Sequence, residues 1–320
     1  MNVAACGIPW IPVNLIESFL KTKWKLIDYT SSKTSYEDVV KEEPIAVLSF
    51  SPPEEIRSAE SIKWILSPGA GIDGLPISRI KEAGQKVINS HANAVAVAEQ
   101  AWALLLSTSK QITKYDSQIR SMQKWPSPTQ IRDVNNDLFD KTIGIVGYGA
   151  IGKVLETYAE IFGMEPVIFR KHPDETQYHI SDLIEAASEL DYLILACPLT
   201  EENRGMVSTK LLEALPSHAI LVNIARGELV VEEDLFDALR EGIIRGAGID
   251  VWKNNPYRPD SQEGTPPEEL IEVPNLVISP HRAWVSKKSF ANTAKQLAIE
   301  LDLIANNKES SHLVDLNRGY

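Results

Sequence analysis

Residues 142–152 read TIGIVGYGAIG. An apolar, β-branched run, Thr142–Val146, ends on three glycines, Gly147, Gly149 and Gly152, and a helical pattern opens behind them. A glycine pattern alone is weak. One that leaves a strand and enters a helix meets the physical requirement for holding a pyrophosphate. The first glycine allows the tight turn, the second lets backbone approach the phosphates, and the third lets helix and strand pack closely. The helix start, Ala150 and Ile151, adds N–H groups and a partial positive charge. This stretch predicts a dinucleotide-binding α/β unit rather than an ordinary strand-to-helix turn.

Working outward, the next strand, Pro166–Arg170, ends in Arg170, Lys171 and His172, about 23 residues beyond Gly147. An acid at this place would bond the ribose 2′-hydroxyl of NAD. A cationic cluster suits the 2′-phosphate of NADP instead. The expectation is an NADP preference, with NAD still possible.

The β/α alternation continues on both sides. Downstream, strands are expected at Tyr192–Ala196, Ile220–Ile224, Gly246–Val251 and Leu276–Ser279, with helices between them and a last helix over Lys287–Ile304. Upstream, five short strands from Val3–Cys6 to Val87–Asn89 alternate with helical patterns. Between the two alternating regions, Ala94 to Met122 contains no Gly or Pro. It predicts one long helix, apolar first and polar after Lys110, bridging two domains. Such alternation means parallel sheets covered by helices.

Composition agrees. A chain of 320 residues suggests two domains, and its 43% hydrophobic content is too high for disorder. The net charge of −12, without a basic run, argues against nucleic-acid and anionic-membrane partners. A small anionic substrate needs only a few local cations. Two cysteines, Cys6 and Cys197, exclude a disulfide framework and a Cys-rich metal centre. No membrane span is expected. Pro9, Pro12 and a first lysine only at Lys21 speak against a signal peptide, so the expected setting is cytoplasmic.

Several separated blocks resemble the D-isomer-specific 2-hydroxyacid dehydrogenase family. They are SPGAGIDG (67–74), NAVAVAEQAWALLL (93–106), LVNIARGELVVEEDLFDAL (221–239), GAGIDVW (246–252) and SPHRAW (279–284), in the family's order. The resemblance implies two doubly wound parallel-sheet domains. A Rossmann cofactor domain, residues 94–285, would be inserted in a flavodoxin-like substrate domain, residues 1–93 plus 286–320, with the active site in the cleft between them. It implies a homodimer and a hydride transfer between NADP(H) and a small 2-oxo acid or D-2-hydroxy acid, of the glyoxylate or hydroxypyruvate type.

The same resemblance assigns roles. Arg226 matches the catalytic arginine; a guanidinium can bond both the carboxylate of a 2-oxo acid and the oxygen that gains charge. His281 matches the acid/base, since the new hydroxyl needs a proton and imidazole titrates near neutrality. Gly69, Ala70 and Gly71 match a loop whose N–H groups hold the carboxylate, and Asn93 matches a residue near the cleft. Asp250 matches the residue that bonds the nicotinamide carboxamide. Cys197, Pro198, Thr200, Ile224 and Ala225 fall on turns that would line the coenzyme.

Two positions depart from the pattern. The carboxylate that normally pairs with the histidine falls on Asn255, which can orient an imidazole but lends its cation no charge. Reduction should then have a more acidic limit, unless Glu263, Glu268 or Glu269 reaches in from the loop. Arg282 and Trp284 replace small residues after the histidine. The amide at position 255 also resembles formate dehydrogenases of the same superfamily, which need no proton relay. A dinucleotide-sensing corepressor-like protein is the non-enzymatic alternative.

Overall fold

The structure, a computed structural model, describes residues 1–32, 34–125, 134–253, 270 and 272–317. Its chain divides into two compact units, Met1–Asn93 with Val285–Tyr320, and Ala94–Trp284.

In the first unit, β1 (Asn2–Cys6), β2 (Trp24–Asp28), β3 (Ala46–Leu48), β4 (Trp64–Leu66) and β5 (Lys86–Ile88) form one parallel sheet in the order β2-β1-β3-β4-β5. This is the flavodoxin-like order, with its switch between β1 and β3. Successive side chains point to opposite faces, and here both faces are covered. Ala4, Cys6, Leu48 and Leu66 pack with Ala294, Leu297 and Leu301 of the C-terminal helix, Lys287–Ala305. Their neighbours Ala5, Val47, Ile65 and Val87 pack on the other side with Val39, Ile56 and Ile80. Those three come from α2 (Tyr36–Lys41), α3 (Glu54–Arg57) and α4 (Ile77–Glu82), while α1 (Val13–Glu17) lies with the C-terminal helix. Ser286 caps that helix by accepting from the Ser289 N–H at 3.0 Å.

The second unit opens with α5 (Ala94–Ser109) and α6 (Ile112–Met122). The single long helix expected from the sequence is therefore two. Gln111 stands between them with φ of 51°, in the left-handed region. Before the break, Thr108 Oγ1 and Ser109 Oγ donate back to the carbonyls of Leu104 and Leu105. Hydroxyls that compete for the helix's own acceptors weaken it locally. Absence of Gly and Pro did not protect this helix from a run of Ser and Thr.

Its sheet comprises β6 (Thr142–Val146), β7 (Glu165–Arg170), β8 (Tyr178–His179), β9 (Tyr192–Leu195), β10 (Ile220–Asn223), β11 (Gly246–Ile249) and β12 (Leu276–Ile278). All are parallel, in the order β12-β11-β10-β9-β6-β7-β8. This is the Rossmann order, with the switch between β6 and β9. The helices α7 (Ala150–Ile161), α8 (Leu183–Ala186), α9 (Thr209–Ala214) and α10 (Glu232–Glu241) connect the strands. One face buries Ile143, Ile145, Ile194 and Val222 against α5 and α7; the other buries Val146, Leu193 and Leu221 against α8, α9 and α10. The two-residue edge strand β8 is the element the sequence pattern did not announce.

Candidate functional site

Six loops, after β6, β7, β9, β10, β11 and β12, leave the carboxyl ends of the second sheet, where open α/β sheets take their ligands. The first follows β6. Gly147 has φ of +102°, and a Cβ there would lie 2.7 Å from the Ala196 and Cys197 backbone. A Cβ on Gly152 would lie 2.2 Å from the Gly147 carbonyl oxygen. A Cβ on Gly149 would meet nothing within 4 Å beyond its chain neighbours. Two glycines are thus demanded by the protein's own packing, while the third leaves space at the start of α7. The turn fits a pyrophosphate, with the N–H groups of Ala150 and Ile151 at the helix start to hold it.

At the end of β7, Arg170 is half-buried and lies over the Tyr148 ring, 5.9 Å from its centroid, with Lys153 also over that ring at 5.8 Å. The Tyr148 hydroxyl donates to Glu156, which together with burial pushes it up to about 12. It stays neutral at physiological pH. Lys171 is exposed and pairs with Glu202 at 2.7 Å; His172 is exposed. Glu202 went unremarked in the sequence because it is distant in the chain and only folding brings it to Lys171.

The turn after β9 holds Cys197, Pro198 and Thr200. Asn203 pins it: its Oδ1 accepts from the Thr200 N–H at 2.7 Å and its Nδ2 donates to the Pro198 carbonyl at 2.8 Å. Cys197 is 7% exposed, and burial pushes its thiol up to about 12. It is no nucleophile at neutral pH.

After β10, the fully buried Asn223 organises the turn to Arg226. Its Oδ1 accepts from the Ala225 N–H at 3.0 Å and its Nδ2 donates to the Arg226 carbonyl at 2.8 Å. Ile224 and Ala225 are buried, and Arg226 is half-buried with Nη1 donating to the Ala225 carbonyl at 2.6 Å. A Cβ on Gly227 would lie 2.2 Å from the Trp252 backbone, so only glycine lets the β10 and β11 loops approach. Asn203 and Asn223 were legible only as polar residues in turns.

Asp250 follows β11 and is 0% exposed. His281 follows β12 with φ of 54°. Because β10, β11 and β12 are neighbours, Arg226, Asp250 and His281 leave three adjacent strands at one sheet end. Strand spacing makes the outer two strands about 10 Å apart. Trp284 is half-buried against the core beneath α5. Asn255, Glu263, Glu268 and Glu269 lie outside the described residues.

In the first unit, the loop after β4 carries Gly69, Ala70 and Gly71. Ser67 Oγ and the Ser90 N–H both donate to the Gly69 carbonyl, at 3.1 Å each, and Asn89 Nδ2 donates to the Ala70 carbonyl at 2.9 Å. The carbonyls are thereby turned into the fold. Among the described residues, the Ala70 and Gly71 N–H groups donate to no acceptor. A Cβ on Gly69 would meet the Phe50 ring at 2.7 Å. Asn93 is half-buried and immediately precedes α5.

The family profile of the D-isomer specific 2-hydroxyacid dehydrogenase NAD binding domain matches residues 102–283. A glyoxylate reductase of Thermococcus gammatolerans is 32% identical over 237 residues, covering 71% of this chain and 69% of that protein. A glyoxylate/hydroxypyruvate reductase of Arabidopsis thaliana is 30% identical over 258 residues, covering 80% and 77%. In fold, the chain matches the crystal structure of an NADPH-dependent glyoxylate/hydroxypyruvate reductase from Sinorhizobium meliloti, with a TM-score of 0.80, 24% identity and coverage of 99% and 98%. Fold and glycine turn are those of a dinucleotide-binding α/β protein, and the matched family profile is that of an NAD binding domain. The chain belongs to the D-isomer-specific 2-hydroxyacid dehydrogenase family. It is an enzyme, and the corepressor-like alternative is set aside.

Proposed function

We propose that the enzyme reduces small 2-oxo acids of the glyoxylate or hydroxypyruvate type to D-2-hydroxy acids, with NADP preferred over NAD. The observation that carries this reading is the emergence of Arg226 and His281 from β10 and β12, the two strands that flank β11, at the end of the sheet where the glycine turn also opens. The second unit would hold the coenzyme on Gly147, Gly149, Ala150, Ile151 and Gly152, lined by Cys197, Pro198, Thr200, Ile224 and Ala225. When bound, the coenzyme supplies the hydride. Arg226 is a fixed cation for the carboxylate and for the oxygen that gains charge. His281 supplies the proton for that oxygen. In the first unit, the Ala70 and Gly71 N–H groups offer a carboxylate two donors that their own fold leaves unused, and Asn93 stands at the end of the same segment.

The NADP preference rests on Arg170, Lys171 and His172 at the end of β7, where an acid would serve NAD. The test is the ratio of kcat/KM for NADPH over NADH, measured with a panel of glyoxylate, hydroxypyruvate, pyruvate and larger 2-oxo acids. A ratio above about 10 is expected, since one charge-assisted contact is worth about 1.5–3 kcal/mol. A ratio below one overturns the preference. Formate oxidation with NADP⁺, and no reduction of any 2-oxo acid, would favour the formate dehydrogenase reading instead.

Assembly as a homodimer through the second unit is supported by its exposed apolar side chains. Ile112 and Met122 of α6 are 57% and 56% exposed, and Trp125, Phe139 and Ile161 are more so. No residue of α6 is buried, yet its apolar residues recur at helical spacing. An apolar stripe left uncovered along a helix of a single chain suits an interface. Light scattering should give about twice the mass of one chain. A cytoplasmic setting fits two free, buried cysteines. Among the described residues, no helix is long and apolar enough to cross a membrane.

A further inference from the structure

The segment that carries His281 is held in an unfavourable backbone conformation chiefly by one buried residue, through its carboxylate and its own carbonyl. A left-handed φ at a residue with a Cβ persists only where the surroundings impose it. Here Asp250 imposes it. The His281 N–H donates to the Asp250 carbonyl at 2.7 Å. The Arg282 N–H donates to Asp250 Oδ1 at 2.9 Å, and the Ala283 N–H donates to Oδ2 at 3.0 Å. The Ser279 hydroxyl donates to Oδ1 as well. Behind it, Gln100 Nε2 of α5 donates to Ser279 Oγ at 3.1 Å, which leaves the hydroxyl proton for Asp250. Trp252 Nε1 donates to the Ser279 carbonyl at 3.1 Å.

Asp250 is 0% exposed and Ser279 6%. A carboxylate so buried requires donors, and those it has come from residues 279, 282 and 283, on both sides of His281. Three of its roughly four acceptor positions are used within this loop. One acceptor position, on Oδ2, remains for the nicotinamide carboxamide, the partner that the family resemblance assigns to it. The network spans α5, the end of β11 and the loop after β12, so the loop is tied to the helix and sheet of the second unit.

We infer that Asp250, with Ser279 and Gln100 behind it, is a positioning residue that fixes the backbone of the His281 loop and thereby the place from which the imidazole delivers its proton. The inference rests on the proposed role of His281. Asp250→Asn keeps the shape but sets an amide donor against one of the loop's backbone donors. A displacement of about 1 Å at a reacting group costs about 100-fold in rate. Reduction of the best 2-oxo acid by D250N should therefore lose about 100-fold in kcat. Its dissociation constant for NADPH, read by quenching of tryptophan fluorescence, should stay within about threefold.

Ser279→Ala removes one hydroxyl and no charge. It should lose about fivefold in kcat with the same coenzyme affinity, and it carries the test if D250N does not fold. The deciding measurement is a double-mutant cycle with His281→Gln. If Asp250 or Ser279 acts through the histidine, adding D250N or S279A to H281Q should cost less than about twofold. A loss that persists undiminished in H281Q, or one explained by weakened NADPH binding, overturns the inference and leaves the proton-donor role of His281 standing. Wild-type turnover by H281Q alone removes that role, and the inference with it.

Discussion

The loop after β6 and the loop after β12 lie at the same end of one sheet and are built on opposite principles. The first is shaped by the absence of side chains: Gly147 has φ of +102°, and a Cβ on Gly152 would strike the Gly147 carbonyl oxygen. The second holds His281 at φ of 54° by the presence of one, the buried carboxylate of Asp250. A phosphate needs backbone N–H groups within reach, which bulk would block. A proton donor needs a side chain aimed from a fixed backbone, which only neighbouring groups can enforce. One kind of loop announces itself as a glycine spacing. The other shows only in three dimensions.

The comparison can be broken first at the histidine. Positioned acid/base groups contribute about 10²- to 10⁴-fold. His281→Gln should lower kcat by that much, with NADPH binding, read by fluorescence, unchanged. Parallel loss of coenzyme affinity would erase the division of labour between the two loops. Arg226→Lys keeps the charge and loses the planar fork, and loss of a donor to a developing oxyanion costs about 10²- to 10³-fold. Steady-state kinetics with glyoxylate should place most of that loss in kcat/KM.

The glycine loop gives the converse result. Gly152→Ala must move a backbone carbonyl that its Cβ would meet at 2.2 Å. Overpacking of this kind costs about 1–3 kcal/mol. A lower unfolding midpoint and at least about tenfold weaker NADPH binding are expected, while kcat at saturating coenzyme changes little. A milder effect follows at the adenosine end. Arg170→Ala should lower the NADPH-to-NADH ratio of kcat/KM by about tenfold without lowering activity with NADH; an unchanged ratio would move the specificity to Lys171 or His172. The smallest response is expected from the cysteines. Burial pushes the Cys197 thiol up to about 12 and Cys6 also upward, so both stay protonated at pH 7. Neither should be alkylated by iodoacetamide until the protein unfolds; rapid labelling of Cys197 in the native enzyme would mean that its turn opens.

Strand positions were legible because both faces of each parallel sheet are covered, so strands such as Tyr192–Leu195 are continuously apolar. The α5–α6 break was not legible. It depends on Thr108 and Ser109 donating to carbonyls one turn back and on a left-handed Gln111, and a pattern of apolar spacing contains neither. Arg226 and His281 stood out through the blocks around them. Asn203, Asn223, Ser279 and Gln100 did not, because their partners are carbonyls, amides and hydroxyls whose positions only the fold supplies.

By itself the sequence determined the two sheets, the glycine turn and the family. Sheets and turn rest on local steric rules, the alternation of apolar runs and the freedom of glycine; the family rests on the blocks that resemble it. Tertiary structure alone decided how Asp250 and the loop that carries His281 are held. Asp250 and Ser279 are 29 residues apart in the chain, and Gln100 is 179 from Ser279. Hydrogen bonds between such distant residues depend on angles and distances of a few ångströms, which sheet order and helix packing set and residue identity does not.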